Sequence, residues 1–387
     1  MPTRHLVVGG GMTGHAAAAA IREADPGASV AMLAAEPERP YARPPLSKGL
    51  WLGKREDEVF LPEVPGLEIH AGRRAVEIDL RAQAVIDERG ERHGYDRLLI
   101  ATGGVPRRLP AGGERILYYR TLADYRRLRA VAGRAAAVIG GGFIGSEVAA
   151  ALAQNGKEVT MIFPEEAVGA RAYPRELAAH VTRVFEEKGV RVLAGQTVAA
   201  VEARGERTLV RTSGGKEVLA DAVVAGLGIR PDTALAEAAG LRCGDGIEVD
   251  ARLETSVPGV FAAGDVAWFP CAPLGQRVRV EHEDAALTMG RTAGRNMAGA
   301  GERYDHLPFF YSDLFDLGYE AVGRLDPALE TVVSWKKPFR EGVIYYLEGD
   351  RVRGVLLWGI FGQVEAARRL VAGEQPVRRE ALPGAIQ

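Results

Sequence analysis

Short, continuous apolar runs alternate along the chain with Ala-rich stretches whose apolar positions recur at helical spacing. A run that is apolar at successive positions, with no polar alternation, is the pattern of a strand buried on both faces of a parallel sheet. Residues 1–35 read as strand, helix and strand, with Leu6-Val7-Val8 and Ser29-Val30-Ala31-Met32-Leu33 as the two strands. Residues 36–66 form a long irregular stretch containing Arg43-Pro44-Pro45-Leu46-Ser47-Lys48. Prolines there oppose regular structure, and a loop of that length inside a domain is usually functional. Residues 69–89 alternate like paired strands, and Tyr95 to Gly103 reads as a buried strand ending in a small-residue turn. A helix is predicted at about 122–132. The strand-helix-strand pattern then begins again at residue 134. It continues with a long helix near 174–188 and alternating strands, and closes on Ala222 to Gly228, parallel to Leu98 to Gly103. Gly259 to Asp265 is a further strand, followed by an Ala-rich helix at about 283–298. From about 305 the pattern turns strand-like and aromatic, as in Gly342-Val343-Ile344-Tyr345-Tyr346-Leu347, and a short helix near 363–372 follows.

Each half opens on the same motif. Leu6-Val7-Val8-Gly9-Gly10-Gly11-Met12-Thr13-Gly14 is matched by Ala137-Val138-Ile139-Gly140-Gly141-Gly142-Phe143-Ile144-Gly145. In a strand-turn-helix of this spacing the first glycine makes the turn, the second lets backbone approach a pyrophosphate, and the third lets helix pack on strand. The pyrophosphate rests on free N–H groups at the positive end of the helix dipole. An acidic residue closing the next strand holds a ribose hydroxyl. Glu36 fills that place in the first copy, and Glu165 or Glu166 in the second. Two copies imply two dinucleotides, and so electron passage between them. The fold class is α/β: two Rossmann-like dinucleotide-binding domains and a small C-terminal α+β domain.

The bulk figures narrow the class further. At 387 residues the chain is long enough for several cores, and 47% hydrophobic with 26% charged residues is ordinary for a globular protein. A net charge of -2 argues against nucleic acid as a partner. No apolar stretch reaches membrane-span length, and the chain enters its first strand at Leu6 without a leader pattern, so a cytoplasmic location is expected. The two cysteines, Cys243 and Cys271, form no CxxC or CxxxxC, and the seven histidines show no metal-ligand spacing, so neither a redox dithiol nor a metal is expected.

Taken together, these residues resemble the two-dinucleotide flavoprotein reductases related to glutathione reductase, over nearly the whole chain. Tyr41 to Lys48 is similar to the loop shared by bacterial ferredoxin and rubredoxin reductases, apoptosis-inducing factor and monodehydroascorbate reductase. In the disulfide reductases that region carries the redox cysteines. Val159-Thr160-Met161-Ile162-Phe163-Pro164-Glu165, and Val280-Glu281-His282 with Leu307-Pro308-Phe309-Phe310-Tyr311-Ser312, are similar to the last two groups. Where the plant monodehydroascorbate reductases carry basic residues after Val-Glu-His, this chain has Ala285-Ala286-Leu287-Thr288.

The resemblance implies a glutathione-reductase-like arrangement. An FAD-binding domain spans 1–112 and 230–304, an NAD(P)H-binding domain 113–229, and a C-terminal α+β interface domain 305–387. It implies FAD on the first copy, held by Gly9, Gly11, Met12, Thr13, Gly14, Glu36 and Arg43. Ala101, Thr102 and Gly103 line it from the other side, and the Gly264-Asp265 motif contacts it, with helix capping as the alternative for Asp265. Arg120 approaches the flavin, with a surface arginine as the alternative, and Glu281, His282 and Tyr311 surround it, with ordinary core roles as the alternative for the last two. The nicotinamide dinucleotide falls to Gly140, Gly142, Ile144, Gly145, Gly228 and Glu165. An acid there favours NADH, although Arg171 is close enough in sequence to leave NADPH open. In the relatives a lysine of the loop pairs with a glutamate of the second fingerprint helix beside the flavin, which implies Lys48 and Glu147 as the catalytic pair and Phe143 as the aromatic cover, with a solvated salt bridge and a packed core residue as the alternatives for Lys48 and Phe143. The expected function is hydride transfer from NADH to FAD and delivery of electrons to an external acceptor. That acceptor is a ferredoxin- or rubredoxin-type protein, a quinone or a small organic radical, and the chain is a monomer or homodimer. The alternative is a slowly turning, redox-responsive NADH-binding flavoprotein of the apoptosis-inducing-factor type.

Overall fold

The computed structural model describes residues 2–386. The chain divides into two compact units, each drawing on separate stretches of sequence. The first comprises the chain up to Arg43, Glu56–Val105 and Arg230–Pro308. The second comprises Pro44–Arg55, Pro106–Ile229 and the chain from Phe309 onward.

The first unit is built on a five-stranded parallel sheet in the order Val260–Ala262, Arg97–Ile100, Arg4–Val8, Ser29–Ala34, Leu67–Ala71. Its central strands are buried on both faces; Leu98, Leu99 and Ile100 are fully enclosed. That is why they read as unbroken apolar runs. The expectation of paired strands over 69–89 needs one change. Leu67–Ala71 does not pair with its successor but adds to the parallel sheet, with Val30 opposite Leu67. Only Ala75–Asp79 and Ala84–Asp87 pair antiparallel, joined by Arg92–Gly94. Leu67–Ala71 is an edge strand with no fully buried position, and local periodicity cannot tell such a strand from a hairpin arm.

The helix Met12–Ala24 runs through five consecutive alanines and stops before Asp25-Pro26. Alanine is the best helix former, and proline disfavours helical backbone in the residue before it. This helix packs on Glu283–Met297 at close range. A Cβ at Gly290 would stand 2.4 Å from the Thr13 carbonyl oxygen, and one at Gly294 2.4 Å from that of Ala17. The contact therefore depends on two bare positions one helical turn apart.

The second unit repeats the plan. Its parallel sheet runs Arg191–Leu193, Glu158–Ile162, Ala135–Ile139, Ala222–Ala225, Leu117–Tyr118. Read from the opposite edge, four strands follow the same chain order as in the first unit; the fifth, Leu117–Tyr118, comes first in its unit, where Val260–Ala262 comes last. A three-stranded antiparallel insert, Val198–Arg204, Arg207–Thr212 and Glu217–Ala220, takes the place of the one at 75–94. The helix expected to reach about 132 is Leu122–Arg129, opened by a Thr121–Asp124 capping box. Beyond its end, Lys157 Nζ donates 2.7 Å hydrogen bonds to the carbonyls of Val131 and Gly133. Arg175–Glu187 and Val364–Ala372 lie where the sequence placed them. The C-terminal strands form one antiparallel sheet in the order Phe309–Leu314, Leu317–Gly323, Arg351–Trp358, Glu341–Glu348, Glu330–Lys337.

The proline-rich stretch is not wholly irregular. Pro44–Ser47, Gly49–Trp51 and Glu56–Val59 are short 3-10 turns. Trp51 fixes the second of them: its Nε1 donates to the Leu46 carbonyl at 2.8 Å, and its ring meets Tyr125 edge-on at 5.3 Å. Tyr119 donates to the same carbonyl at 2.5 Å.

Candidate functional site

The two glycine turns have the same geometry. Gly9 and Gly140 end their strands at φ +127° and +116°. A Cβ on Gly9 would lie 2.1 Å from the Ala101 oxygen, and one on Gly140 2.4 Å from the Gly226 oxygen. Gly14 and Gly145 would each strike the carbonyl of the first glycine of their own turn at 2.1 Å. By contrast, nothing lies within 4 Å of a Cβ placed on Gly11 or Gly142. These two are the N-caps of their helices, with no side-chain cap and no acid in the first turn. Each unit therefore presents an uncapped helix N-terminus facing open space, and that is the arrangement a pyrophosphate requires. The residues present fit a dinucleotide in both units.

In the first unit, Gly264 reaches the fingerprint from the far end of the sheet. Its φ is +78°, and a Cβ there would stand 2.3 Å from Thr13 Oγ1, so Asp265 is delivered beside the start of the first helix. Ala101 is buried, Gly103 turns at φ +68°, and Thr102 Oγ1 donates to the Asp232 carbonyl at 2.8 Å. Glu36 is engaged by the chain itself. Tyr41 Oη donates to Oε2 at 2.5 Å, and Arg43 Nη2 meets Oε1 at 2.6 Å. Burial opposes the Arg43 charge, yet Tyr41, Glu36 and Asp265 outweigh it and raise its pKa. Burial pushes the His282 imidazole down to about 4, against the pull of Asp265 and Asp284. Glu281 is paired with Arg279 at 2.8 Å, and Arg279 also donates to the Asp265 carbonyl at 3.3 Å. Motif reading did not single out Tyr41 and Arg279 as partners; tyrosine and arginine in loops carry no local signal of their contacts.

The second unit holds the charged centre. Lys48 Nζ lies 2.7 Å from Glu147 Oε2, with the lysine side chain 14% and the glutamate 3% exposed. Pro44–Ser47 presents the lysine and Phe143–Gln154 the glutamate. Two hydroxyls complete the carboxylate: Ser47 Oγ donates to Oε2 at 2.5 Å, and Ser312 Oγ to Oε1 at 2.6 Å. A buried ion is tolerated only when paired and hydrogen-bonded, and stripping a partner from such a pair costs about 3–5 kcal/mol. Tyr311, next to Ser312, places its ring centroid 5.2 Å from Lys48 Nζ. Asp313, the next residue on that strand, is pushed up by burial and by Glu147, with Lys48 acting against them. Phe143 opens the second helix, remains 39% exposed and touches Phe310 at 5.3 Å between ring centroids. Ile144 beside it is exposed, Gly145 is buried, and Gly228 turns at φ +76°. Glu165 is paired with the 79% exposed Arg171 at 2.5 Å. The Arg120 backbone N–H donates to the Asp124 cap at 3.1 Å. Ser47 and Ser312 lay inside quoted motifs without a role, because nothing in a serine's neighbours predicts a carboxylate partner 100 or 165 residues away.

Residues 3–290 match the pyridine nucleotide-disulphide oxidoreductase family. The chain belongs to that family. Its later part, over residues 293–340 and 333–373, matches the C-terminal region of mitochondrion-associated apoptosis-inducing factor. The ferredoxin–NAD(+) reductase component of the Burkholderia cepacia anthranilate 1,2-dioxygenase system is 36% identical, over 95% of this chain and 93% of that protein. Peroxisomal monodehydroascorbate reductase 1 of Arabidopsis thaliana is 33% identical, over 96% and 94%. The solved covalent putidaredoxin reductase–putidaredoxin complex superposes with a TM-score of 0.92 at 28% identity, covering 98% of this chain and 95% of that one. The chain is a flavin- and nicotinamide-dependent oxidoreductase with the α/β fold of the ferredoxin reductases. No helix among the described residues is long and apolar enough to cross a membrane.

Proposed function

We propose that this chain is the NADH-oxidising component of an electron-transfer system and that its acceptor is a small acidic ferredoxin. The observation that carries this is the loop Tyr41 to Lys48: it ends in a lysine held by buried Glu147, where a disulfide reductase would present sulfur. Bound FAD supplies the two-electron acceptor for NADH and returns electrons singly. The chain's own residues bind and bias. Gly11 and Gly142 leave helix N-termini open to pyrophosphates, Asp265 is delivered to the first of them, and Glu165, which closes the strand after the second, would take the ribose. Lys48 offers a fixed positive charge in a site poor in water, where preorganised charge acts most strongly. Phe143, half-exposed at the start of the second fingerprint helix, would cover the flavin ring.

A ferredoxin acceptor is supported by the similarity to reductases named for that partner. It is also supported by the exposed arginines 107, 108, 126, 127 and 129 of the second unit, which suit an acidic partner. Anaerobic stopped-flow reduction by NADH and by NADPH, followed by mixing with ferredoxin, a quinone or monodehydroascorbate, tests the reading. Fast bleaching with NADH and fast reoxidation by ferredoxin are expected. A persistent long-wavelength band with no productive acceptor overturns it in favour of a redox-responsive binding protein.

A further inference from the structure

The Glu147 carboxylate is clamped from two sides. Oε2 takes Lys48 and Ser47, both from the proline-rich loop. Oε1 takes Ser312, from the first strand of the C-terminal sheet. A carboxylate held at one oxygen can swing about its last bond, whereas one held at both cannot. Ser312 is itself fixed. It is 1% exposed and stands directly across the antiparallel pair from Tyr319. The Tyr319 hydroxyl lies beside Ser312 and Tyr173 without reaching full hydrogen-bond geometry with either. Tyr319 is locked by its ring, which stacks on Trp358 at 5.6 Å and meets Tyr173 edge-on at 5.6 Å.

We infer that Ser312 is a positioning residue: it orients Glu147, and through Glu147 it sets where the Lys48 ammonium sits. The C-terminal sheet thereby belongs to the charge structure of the redox site and does more than present a surface. This rests on the placing of Lys48 at the flavin. The titratable groups around the clamp are Lys48, Glu147, Asp313, Tyr173 and Tyr319.

The test uses the holoenzyme and the variants Ser312→Ala, Ser312→Thr, Glu147→Gln, Lys48→Met and the Ser312→Ala/Glu147→Gln double. It reads the midpoint potential of bound FAD and, separately, the limiting rate of reduction and the KM for NADH. Loss of a hydrogen bond to a charged group predicts about a ten-fold fall in the limiting rate for Ser312→Ala, with KM changed less than the rate. The potential shifts in the direction that Lys48→Met shifts it, and Ser312→Thr restores both. Because Ser312 acts through Glu147, removing it from the Glu147→Gln background changes nothing further. Additive effects in the double variant overturn the inference, as does a Ser312→Ala enzyme whose potential is that of wild type. A Lys48→Met enzyme with unaltered potential instead overturns the placing of Lys48. Stoichiometric FAD and an unchanged flavin absorption spectrum show that each variant is folded, and a Ser312→Thr enzyme that restores neither rate nor potential also overturns the inference.

Discussion

Glu165 shows how a single side chain can carry two specificities. It closes the second fingerprint's acidic strand, yet its Oε1 is already held by Arg171 at 2.5 Å. The acid is the group that accepts a ribose hydroxyl; the arginine is the group that binds a 2′-phosphate. Paired, each restrains the other, and the pair is exposed enough on the arginine side to open at little cost. Glu165→Ala is expected to raise the KM for NADH about ten-fold or more, from the loss of a charged hydrogen bond. It also frees Arg171, so the ratio of NADPH to NADH efficiency rises. Steady-state kinetics with both nucleotides checks this; an unchanged ratio would show that Glu166 or another group reads the ribose.

At the level of elements, the close pass of Glu283–Met297 over Met12–Ala24 fixes the first nucleotide turn from behind. Gly290→Val places methyl groups where the Thr13 carbonyl already stands 2.4 Å from a bare Cβ position. Overpacking of this kind costs about 1–3 kcal/mol, and more when backbone must move. Thr13 also backs Gly264, so the damage reaches Asp265. Chemical denaturation should show the stability loss, and titration with FAD should show weakened binding; a variant that binds FAD normally would sink this coupling. Elements like these were legible in the sequence because local physics specifies them. The alanine run makes a helix, the apolar runs make parallel strands, and glycines at fixed spacing make the turns. What stayed hidden depends on distant partners. Lys157 reaching the Val131 carbonyl, and Leu67–Ala71 joining the parallel sheet, are decided by contacts that no local window contains.

At the level of the whole molecule, one sheet plan occurs twice, and the pairing of Lys48 with Glu147 followed from resemblance, not from local pattern. The clamp of Ser47 and Ser312 did not follow from either. The sulfur-free loop has a consequence for the poisons this enzyme tolerates. Trivalent arsenic disables disulfide reductases by bridging the two sulfurs of a reduced dithiol. Here the two thiols, Cys243 and Cys271, are unpaired, and burial raises the pKa of both, which holds them in the unreactive protonated form. NADH-dependent turnover should therefore survive arsenite, and preincubation with NADH, which sensitises dithiol enzymes by exposing their sulfur, should make no difference. Rapid inactivation by arsenite after NADH treatment would contradict this. In a cell exposed to arsenite, electron supply through this protein would outlast the dithiol-based reductases that share its ancestry.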